Sequence, residues 1–447
     1  MSVDGLVSGM DTTTLISQLM QIEAQPQTLL KSKLSATQAD ATAYRAVNTR
    51  FDALRTAAEA LTNDATWDLT KATSSSTAVT ATAGAGALPG TLSFTVSQTA
   101  AAHQVVSAEL TGTTPAAVTV GQVTVKDADG SHTLDLVGTG SLADAAAAIN
   151  KADLGLTAAV VEVSAGKYRL QVNAKDTGAA AKFEVSTAEG TAFTAATAGR
   201  DAVLTVGSDA TYTVTSPTNT FSGVMPGTTL TVSEKTTSPV TVTIASDPDA
   251  VAAKVASLVG AANGVLEAIT AYTDKDKSTA VLKGDSTLRT LAGRVLDVVA
   301  TAVGGSPAAA GLQLTTTGAY AFDQAKFVAK FESDPQFVEK VFAGTPAVPA
   351  SGSTPASSAV AGIAGRLMEL ARSASDATTG SLTLLANSND STAKDIQVRI
   401  ADWDLRLGLR KTTLTRQFTA METALGTLQN QASWLSSQIG SLPTWSS

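Results

Sequence analysis

The amino-acid sequence predicts an α+β multidomain protein in which N- and C-terminal helices form a coiled-coil or helix-bundle stalk, with two β-rich head domains inserted between them. Two observations lead to this prediction. Apolar residues recur at alternating four- and three-residue steps near both ends of the chain, and this repeat keeps one helical seam against a partner helix. Between about residues 75 and 245, apolar and polar residues alternate with the two-residue period of β-strands.

The first helical pattern begins after Asp11, a good N-cap residue. Pro26 lacks a backbone donor, so we expect the helix to kink or restart there and then to run to about Asn63. Before Pro26, the apolar face consists of Leu15, Ile16, Leu19, Met20 and Ile22. After Pro26, the main apolar seam consists of Tyr44, Val47, Phe51, Leu54 and Leu61.

The middle of the chain reads as short strands joined by turns. Asp129-Gly130 predicts a hairpin turn, and a second pair of strands is joined at Ala165-Gly166. Between these hairpins, Ser141 is the predicted N-cap of a short helix, with Asp144 at the capping-box position. Further short strands complete the β-rich region by about residue 246.

Asp247 followed by Pro248 predicts the return to helix, because proline is favoured at the first helical position. Residues 345–359 form a Pro/Ser/Gly-rich loop. We expect helices at about 249–273, 285–303, 323–332, 335–342 and 360–373.

The last predicted helix runs from about Thr392 to Gly440 and contains two apolar seams. The first seam consists of Ile396, Ile400, Trp403 and Leu407. Arg410 interrupts the spacing, and a second register starts at Leu414. Such a slip is a coiled-coil discontinuity, and we interpret it as the point where the partner of the helix changes.

Composition excludes several classes of function. The chain has a formal charge of −8 without long basic clusters, which argues against nucleic-acid binding. No uninterrupted apolar run reaches the roughly 18 residues that a membrane span needs, so we expect no membrane partner. The first residues lack the features of a Sec-type signal peptide. The chain has no cysteine, so it can form neither disulfides nor thiolate metal sites.

The sequence offers no catalytic or metal-binding constellation, and we predict neither enzymatic activity nor a cofactor. The two histidines, His103 and His132, are isolated from each other in the sequence. No phosphate-binding loop, serine-nucleophile elbow or zinc-protease motif is present. Asp127, Asp129 and Asp135 carry a faint resemblance to a calcium loop, but a polar hairpin turn explains them better.

The apolar stripes allow two interpretations, because stripes at helical spacing usually form an intramolecular core. We assign that role to the inner seams, Tyr44–Leu61 and Ile396–Leu407. The outer stripes flank the free ends of the chain, where they make weak cores alone, so we predict that they contact a partner molecule. They comprise Leu15, Ile16, Leu19, Met20, Ile22, Leu428, Leu435, Ile439 and Leu442.

Several segments resemble one family along most of the chain. The opening DGLVSGMDTTTLISQLMQIEAQPQTLLKSKL is similar to the N-terminal signature of the flagellar hook-associated protein 2 family. The segment SLADAAAAINKADLGLTAAVVEVSAGKYRLQVNAKDTG resembles a repeat module shared by flagellin and hook proteins. KVASLVGAANGVLEAI and LKGDSTLRTL resemble the C-terminal half of the family, and RKTTLTRQFTAMETALGTLQNQASWLSSQIGSL resembles its end.

The resemblance implies a structural assembly protein that caps the distal end of the bacterial flagellar filament, where it promotes folding and insertion of flagellin and prevents its loss. The implied partners are further copies of the chain in a ring-shaped homo-oligomer, flagellin, hook–filament junction proteins, the flagellar type III export apparatus and an export chaperone. The implied location is extracellular, at the filament tip. The alternative is a secreted surface adhesin whose β-rich head binds a host glycan or protein.

Pattern and resemblance together suggest four domains, each of the first three built from two chain segments. Residues 1–40 with 408–447 form terminal leg helices, and residues 41–72 with 247–407 form a helical bundle. Residues 73–112 with 200–246 form the first β-rich head domain. Residues 113–199 form the second head domain, which contains the repeat module.

Overall fold

The computed structural model describes residues 11–136, 138–208, 210–347 and 358–440. The chain divides into two compact units. The helical unit combines Met1–Asn63 with Ala252–Ser447, and the β unit is Asp64–Val251. The predicted α+β class is confirmed, with helices at both ends of the chain and a β-rich region between them.

The helices begin and end close to the predicted positions. Asp11 caps the first one by accepting a hydrogen bond of 2.8 Å from the Thr14 backbone N–H. Pro26 lies in the first turn of the second helix, as proline's missing donor requires. In chain order the helices are α1 (Thr12–Glu23), α2 (Gln25–Thr62), α3 (Leu142–Lys151), α4 (Pro248–Thr273), α5 (Ser286–Ala300), α6 (Gln324–Ser333), α7 (Pro335–Phe342), α8 (Ile363–Ser375) and α9 (Ser381–Gly440).

The start of α9 corrects the sequence prediction. The helix begins at Ser381 and not near Thr392. The polar run Asn387–Asp390 precedes the predicted start, yet it lies on a helix whose other face is buried through Leu382, Ala386 and Ala393. Tertiary burial of that face outweighs the weak helix propensity of asparagine, serine and aspartate.

In the helical unit, α2 packs against α8 and α9. The α2 seam is buried along its whole length, from Tyr44 to Leu61. Arg45 and Asp390 form an ion pair between α2 and α9. The Tyr44 hydroxyl donates a 2.5 Å hydrogen bond to Asp285, the N-cap residue of α5. These contacts tie the N-terminal helix to segments more than 200 residues later in the chain.

Helix α4 differs from the expectation that no segment could span a membrane. Among the described helices, its length and composition alone would allow it to cross one. However, one face of α4 is fully buried in the protein through Val255, Leu258, Ala262 and Val265. A packed core therefore accounts for its apolar composition.

The strands of the described chain alternate with short turns. Asp127 accepts hydrogen bonds from Asp129 and Gly130 in the first predicted hairpin. At the second, Gly166 has a φ of +74°, which favours glycine. The strands are β1 (Thr70–Ser74), β2 (Val79–Ala83), β3 (Gly90–Gln98), β4 (Ala102–Ser107), β5 (Leu110–Thr111), β6 (Val123–Lys126), β7 (Ser131–Leu134), β8 (Leu156–Ser164), β9 (Lys167–Thr177), β10 (Glu184–Thr187), β11 (Phe193–Thr197), β12 (Ala202–Val206), β13 (Tyr212–Ser216), β14 (Thr220–Ser222), β15 (Thr228–Val232), β16 (Val240–Ser246), β17 (Leu312–Leu314), β18 (Tyr320–Phe322), β19 (Gly344–Thr345) and β20 (Val360–Ala361).

Within the β unit, the pairing produces two groups of sheets with separate cores. One group contains the sheet β1-β16-β3-β12-β13 and the sheet β14-β15-β2 around Phe94, Leu204 and Leu230. The other contains β11-β4-β9-β5, with β8 on β9, and the sheet β10-β6-β7. Helix α3 packs on β8, and Leu142 and Leu170 belong to the second core.

The pairing of β4 and β5 differs from the predicted domain limits. Both strands lie in residues 73–112, which the sequence analysis assigns to the first head domain. Both nevertheless pair with β9, in the sheet of the second group. Alternation along a strand reveals which face is buried but not which strand lies beside it. The sequence therefore could not predict which sheet contains β4 and β5.

Candidate functional site

The first two helices, α1 and α2, lie antiparallel to the last helix, α9. The side-chain amide of Gln27 in α2 donates to the Asp404 carboxylate at 2.5 Å and to the Ile400 carbonyl oxygen at 3.4 Å. At the end of α1, Glu23 accepts a hydrogen bond of 3.3 Å from the Arg410 guanidinium. Residue numbers therefore increase along α9 in the direction in which they decrease along α1 and α2.

The register slip predicted near Arg410 coincides with the junction between α1 and α2. Asp404 contacts α2, whereas Arg410 contacts the last residue of α1. The junction itself, at Ala24, keeps helical hydrogen bonds on both sides, from Ala24 to Met20 and from Thr28 to Ala24. The change of seam on α9 thus accompanies a change of partner helix.

The side chains of the inner α9 seam differ in how far they are buried. Ile396 is buried, whereas Ile400, Trp403 and Leu407 are half-buried. The Arg406 guanidinium lies 5.7 Å from the centre of the Trp403 ring, within the distance of a cation–π contact.

The apolar residues predicted on α1 divide into two groups. Ile16 is buried, and Met20 is half-buried, so these two belong to the packing of the chain itself. Leu15 and Leu19 are 40% and 38% exposed, and Ile22 is 64% exposed. The partner-contact interpretation of α1 therefore applies to Leu15, Leu19 and Ile22.

The outer seam of α9 becomes more exposed toward the end of the helix. Leu414 is buried, and Phe418, Met421 and Leu425 are half-buried. Farther along, the seam continues through exposed side chains, which are Leu428 (59%), Leu435 (53%) and Ile439 (60%). Leu442, the last predicted contact residue, lies outside the described residues.

Sequence reasoning missed six large apolar residues that are exposed on the described parts of these helices. Leu29 lies on α2, and the other five lie on α9, namely Leu384, Val398, Leu405, Leu409 and Trp434. Val398, Leu405 and Leu409 share a four-and-three spacing that runs through Asp402. This spacing is visible in the sequence. It was overlooked because the Ile396–Leu407 seam, which has a similar spacing, occupies the same residues of the helix.

Polar groups of the helical unit also line a cavity. A cavity of about 890 Å³ lies in the helical unit between α2, α8 and α9, and its lining includes Arg45, Arg55 and Asp376. Backbone N–H groups, with that of Thr379 first, hold the pKa of the Asp376 carboxyl below its usual value. Within the described ranges, no three histidine, cysteine, aspartate or glutamate side chains are grouped to hold a metal ion.

The sequence matches three models of flagellar proteins. The model described as Flagellar hook-associated protein 2 C-terminus matches residues 199–430, more than half of the chain. The model of the N-terminus of the same family matches residues 8–103, and the Flagellin hook IN motif matches residues 122–176. The last range includes most of the segment identified from the sequence as a flagellin-like repeat module.

Individual relatives carry the same name. The Flagellar hook-associated protein 2 of Escherichia coli K12 is 27% identical over 179 residues, which cover 39% of this chain and 38% of that protein. The match thus spans less than half the length of that relative. The Lateral flagellar hook-associated protein 2 of Vibrio parahaemolyticus is 30% identical over 295 residues, covering 59% of this chain and 66% of that protein.

A solved structure shares the fold. The crystal structure of the D1-D2-D3 domains of the flagellar cap protein FliD from Escherichia coli aligns with a TM-score of 0.58 and 23% identity. The alignment covers 78% of this chain and 99% of that structure. Because the C-terminal family model alone covers more than half of the chain, this protein belongs to the flagellar hook-associated protein 2 family.

Proposed function

We propose that this chain is a structural subunit of the cap at the distal end of the bacterial flagellar filament, where it promotes folding and insertion of exported flagellin and prevents its loss. Membership of the family and the cap-protein fold support this proposal. The family is structural, and the proposed role is mechanical and requires no cofactor.

The observation that carries the proposal is the exposed end of α9. The antiparallel contacts bring the start of α1 level with about Met421, and α9 continues from there to Gly440. That extension is about 28 Å long at 1.5 Å per residue. Its seam is apolar and exposed at Leu428, Leu435 and Ile439. An exposed seam at heptad spacing suits burial against helices of another molecule.

Burial of the exposed seam would contribute favourably to docking. Complete burial of a leucine or isoleucine side chain contributes about 1.5–3 kcal/mol. Leu428, Leu435 and Ile439 have already buried part of their surface, so together they offer roughly 3–5 kcal/mol on docking. Several legs acting together multiply this attraction without any new kind of contact.

We assign the remaining predicted partners to the same role. The leg helices contact flagellin and hook–filament junction proteins, and further copies of this chain complete a ring. Delivery by the flagellar type III export apparatus with an export chaperone places the protein outside the cell, at the filament tip. A chain without cysteine avoids mispaired disulfides on that route. No feature of the described residues favours the adhesin alternative.

Removal of residues 428–447 from the chain tests the proposal. In a cap-deficient strain, the truncated protein should fail to support filaments, and flagellin should appear in the medium as monomers. The β unit should keep its circular-dichroism signal, since it is a compact unit of its own and the deleted residues belong to the helical unit. Filament growth equal to that with the full chain would overturn the proposal.

A substitution test keeps the helix length intact. The triple variant Leu428→Gln, Leu435→Gln, Ile439→Gln should lose capping. The matched control is Ser433→Gln with Ser437→Gln, which places the same side chain on the other face of the same segment. Loss of capping in the control alone, or in neither protein, would contradict the role of the seam.

A further inference from the structure

Two strand edges of the β unit line one cavity. Within the described ranges, β10 pairs only with β6, and β11 pairs only with β4. Each of the two strands is therefore the last strand of its own sheet. The loop 188–192 joins them, and residues of both strands line a cavity of about 580 Å³. The cavity thus lies where the edges of two sheets of the same core come together.

The register of β10 shows which of its backbone groups point away from β6. In an antiparallel pair, residues that bond to the neighbouring strand alternate with residues whose N–H and C=O groups face the other side. The Ala188 N–H donates to the Gln122 carbonyl oxygen, so Val185 turns its N–H and C=O groups away from β6. On the same side, the Phe183 carbonyl oxygen accepts from His103 Nε2 at 3.0 Å.

The same reasoning applies to β11. The Ala108 N–H donates to the Ala192 carbonyl oxygen at 2.7 Å, and β11 continues along β4 in that register as far as Ala195. Phe193 and Ala195 therefore turn their N–H and C=O groups away from β4. In the part of the chain that the structure describes, these outward groups of Val185, Phe193 and Ala195 have no backbone partner.

The cavity has an apolar floor and an uncharged exposed edge. Its lining includes the buried side chains of Val105, Phe183 and Val185. Residues 190–198, which contain β11, include neither a charged residue nor a proline, although these residues are a usual means of keeping a sheet edge unpaired. The lysines and acidic residues of the lining are two of each sign, namely Lys126, Lys182, Asp127 and Glu184. The opening therefore favours an uncharged occupant.

Hydrogen bonds fix the opening at both ends. At one end, His103 bonds to the Phe183 carbonyl oxygen. At the other end, the Gly190 N–H donates to the Thr187 carbonyl oxygen at 3.0 Å, and the Thr191 N–H donates to the Thr187 hydroxyl at 2.9 Å. The edge from Phe183 to Thr187 spans about 13 Å at about 3.3 Å per residue. The opening is thus preformed, and its length suits about four or five extended residues.

We propose that this opening, which we call the β10–β11 groove, binds an extended segment of a polypeptide that has not yet folded. The segment lies between the two edges and exchanges backbone hydrogen bonds with Val185 on one side and with Phe193 and Ala195 on the other. An edge strand of a folded sheet has already paired one of its two edges. Only an unfolded segment offers both edges, and small, uncharged side chains suit the floor and the rim of the groove.

This inference deepens the proposed function and rests on it in one respect, since exported flagellin supplies the unfolded segment. The exposed seam of α9 accounts for docking of the legs but gives the β unit no contact with a polypeptide. Backbone hydrogen bonds hold an extended segment largely without regard to its exact sequence. The groove could therefore hold successive stretches of a chain before that chain folds.

A labelled peptide tests the groove in the purified full chain. A short fluorescein-labelled peptide of alternating threonine and alanine should bind saturably in fluorescence anisotropy. N-methylation of alternate residues removes the donors along one edge of the peptide. Methylation of either edge alone should weaken binding by about tenfold or more, because each edge bonds to a different strand. Weakening by methylation of one edge only, or no saturable binding at millimolar peptide, would overturn the inference.

Hydrogen–deuterium exchange resolved at single residues locates the bound peptide. The amides of Val185, Phe193 and Ala195 should exchange about tenfold more slowly when the peptide is present. Strand β13 is an edge strand of the other group of sheets, so its amides are the matched control and should exchange at an unchanged rate. Protection of β13 without protection of β10 and β11 would contradict the assigned site.

A substitution on β11 tests the same contact from the side of the protein. Ala195→Pro removes an N–H that does not bond to β4, so an edge strand should tolerate it. Peptide binding should weaken by about tenfold or more, whereas Ala195→Ser keeps the N–H and should bind within about twofold of the original chain. Equal binding by the two variants would overturn the inference. If circular dichroism shows that the proline variant is misfolded, the methylated peptides decide with the unaltered chain.

Two results separate this inference from the proposed function. Peptide binding by the original chain, together with full capping by the Leu428→Gln, Leu435→Gln, Ile439→Gln variant, would contradict the proposed function alone. Loss of capping by that variant, without any peptide binding by the original chain, would contradict this inference alone.

Discussion

The side-chain amide of Gln27 donates a hydrogen bond of 2.5 Å to the Asp404 carboxylate, and this bond fixes the level of α2 on α9. Gln27 is buried, although it lies in a polar, glutamine-rich stretch of the sequence. This bond and the ion pair of Glu23 with Arg410 together set the axial alignment of α1 and α2 against α9.

Replacement of Gln27 by alanine should loosen the start of α2. A hydrogen bond to a charged group contributes about 1.5–3 kcal/mol, so backbone amides of residues 25–34 should exchange roughly tenfold faster or more in hydrogen–deuterium exchange. Gln25→Ala, at an exposed position of the same turn, should leave exchange unchanged. Equal exchange in both variants would show that the bond is not stabilising.

Removal of the Tyr44 hydroxyl should destabilise the helical unit. This hydroxyl donates to Asp285, which also caps α5 through the Leu288 N–H at 2.7 Å. Tyr44→Phe should lower the free energy of unfolding by about 1.5–3 kcal/mol in urea denaturation. Tyr272→Phe serves as the control, because Tyr272 is only half-buried, and a change within about 0.5 kcal/mol is expected there.

The ionisation of Tyr44 should be delayed to high pH. Burial first, and then the hydrogen bond to Asp285, raise the pKa of the Tyr44 hydroxyl above its usual value of about 10. Burial likewise raises the pKa of the Tyr320 hydroxyl. The folded state retains these protons more tightly, so their contribution to stability is complete below about pH 10 and is lost as pH rises through the folded-state pKa values.

Absorbance near 295 nm provides the measurement. The chain has five tyrosines, and two of them should remain protonated until the pH is well above 10, or until the chain unfolds. The Tyr44→Phe protein should lose one of these two late titrations. Normal titration of all five residues in the folded chain would contradict the assignment.

Replacement of His103 by alanine should destabilise the β unit. The Gly199 backbone N–H donates to His103 Nδ1 at 3.1 Å, and Nε2 lies 3.0 Å from the Phe183 carbonyl oxygen, to which it donates in this tautomer. The ring also packs edge-on against Phe183. Because His103→Ala leaves a cavity and two groups without partners, we expect a cost of about 2–4 kcal/mol.

The other histidine supplies the control for this measurement. His132→Ala should change the free energy of unfolding by less than about 0.5 kcal/mol, because His132 lies at a partly exposed strand edge. Thermal unfolding followed by circular dichroism in the β-sheet region would detect the difference. Equal destabilisation by the two substitutions would contradict a structural role specific to His103.

The cap of α3 gives a prediction about acid. The backbone N–H of Ser141, followed by its hydroxyl, holds the pKa of the Asp144 carboxyl below its usual value. The contribution of Asp144 to stability is therefore complete above the unfolded-state pKa of about 3.9 and is lost as pH falls through the lower folded-state value. NMR titration should find the lowered pKa in the original chain and a value closer to 3.9 in Ser141→Ala.

The same substitution should also affect stability at neutral pH. Ser141 accepts a hydrogen bond from the Asp144 N–H at 3.2 Å and completes a capping box. Loss of such a cap costs about 1 kcal/mol, whereas Ser141→Thr should retain most of the stability. Equal loss in both variants would indicate that the serine is needed for packing rather than for capping.

Local sequence was sufficient to predict the start of a helix where an N-cap residue marks it. Asp11, Ser141 and Asp247 begin helices because their side chains accept orphan N–H groups, and each of the three does so in the structure. The start of α9 could not be found in this way. Its first turns are polar on one side, and only the buried Leu382 face explains why they are helical.

The sequence by itself determined the α+β class, the positions of the caps and hairpin turns, and the seams of the terminal helices, because these depend on the period of apolar residues and on local hydrogen bonds. The tertiary structure decided which seam finds a partner within the chain. It buries Ile16 and Leu414 yet leaves Ile22, Leu29, Leu405 and Leu428 exposed. The physical reason is that a heptad repeat specifies a surface that needs a partner, whereas the length and register of the facing helix determine how much of that surface the chain itself can cover.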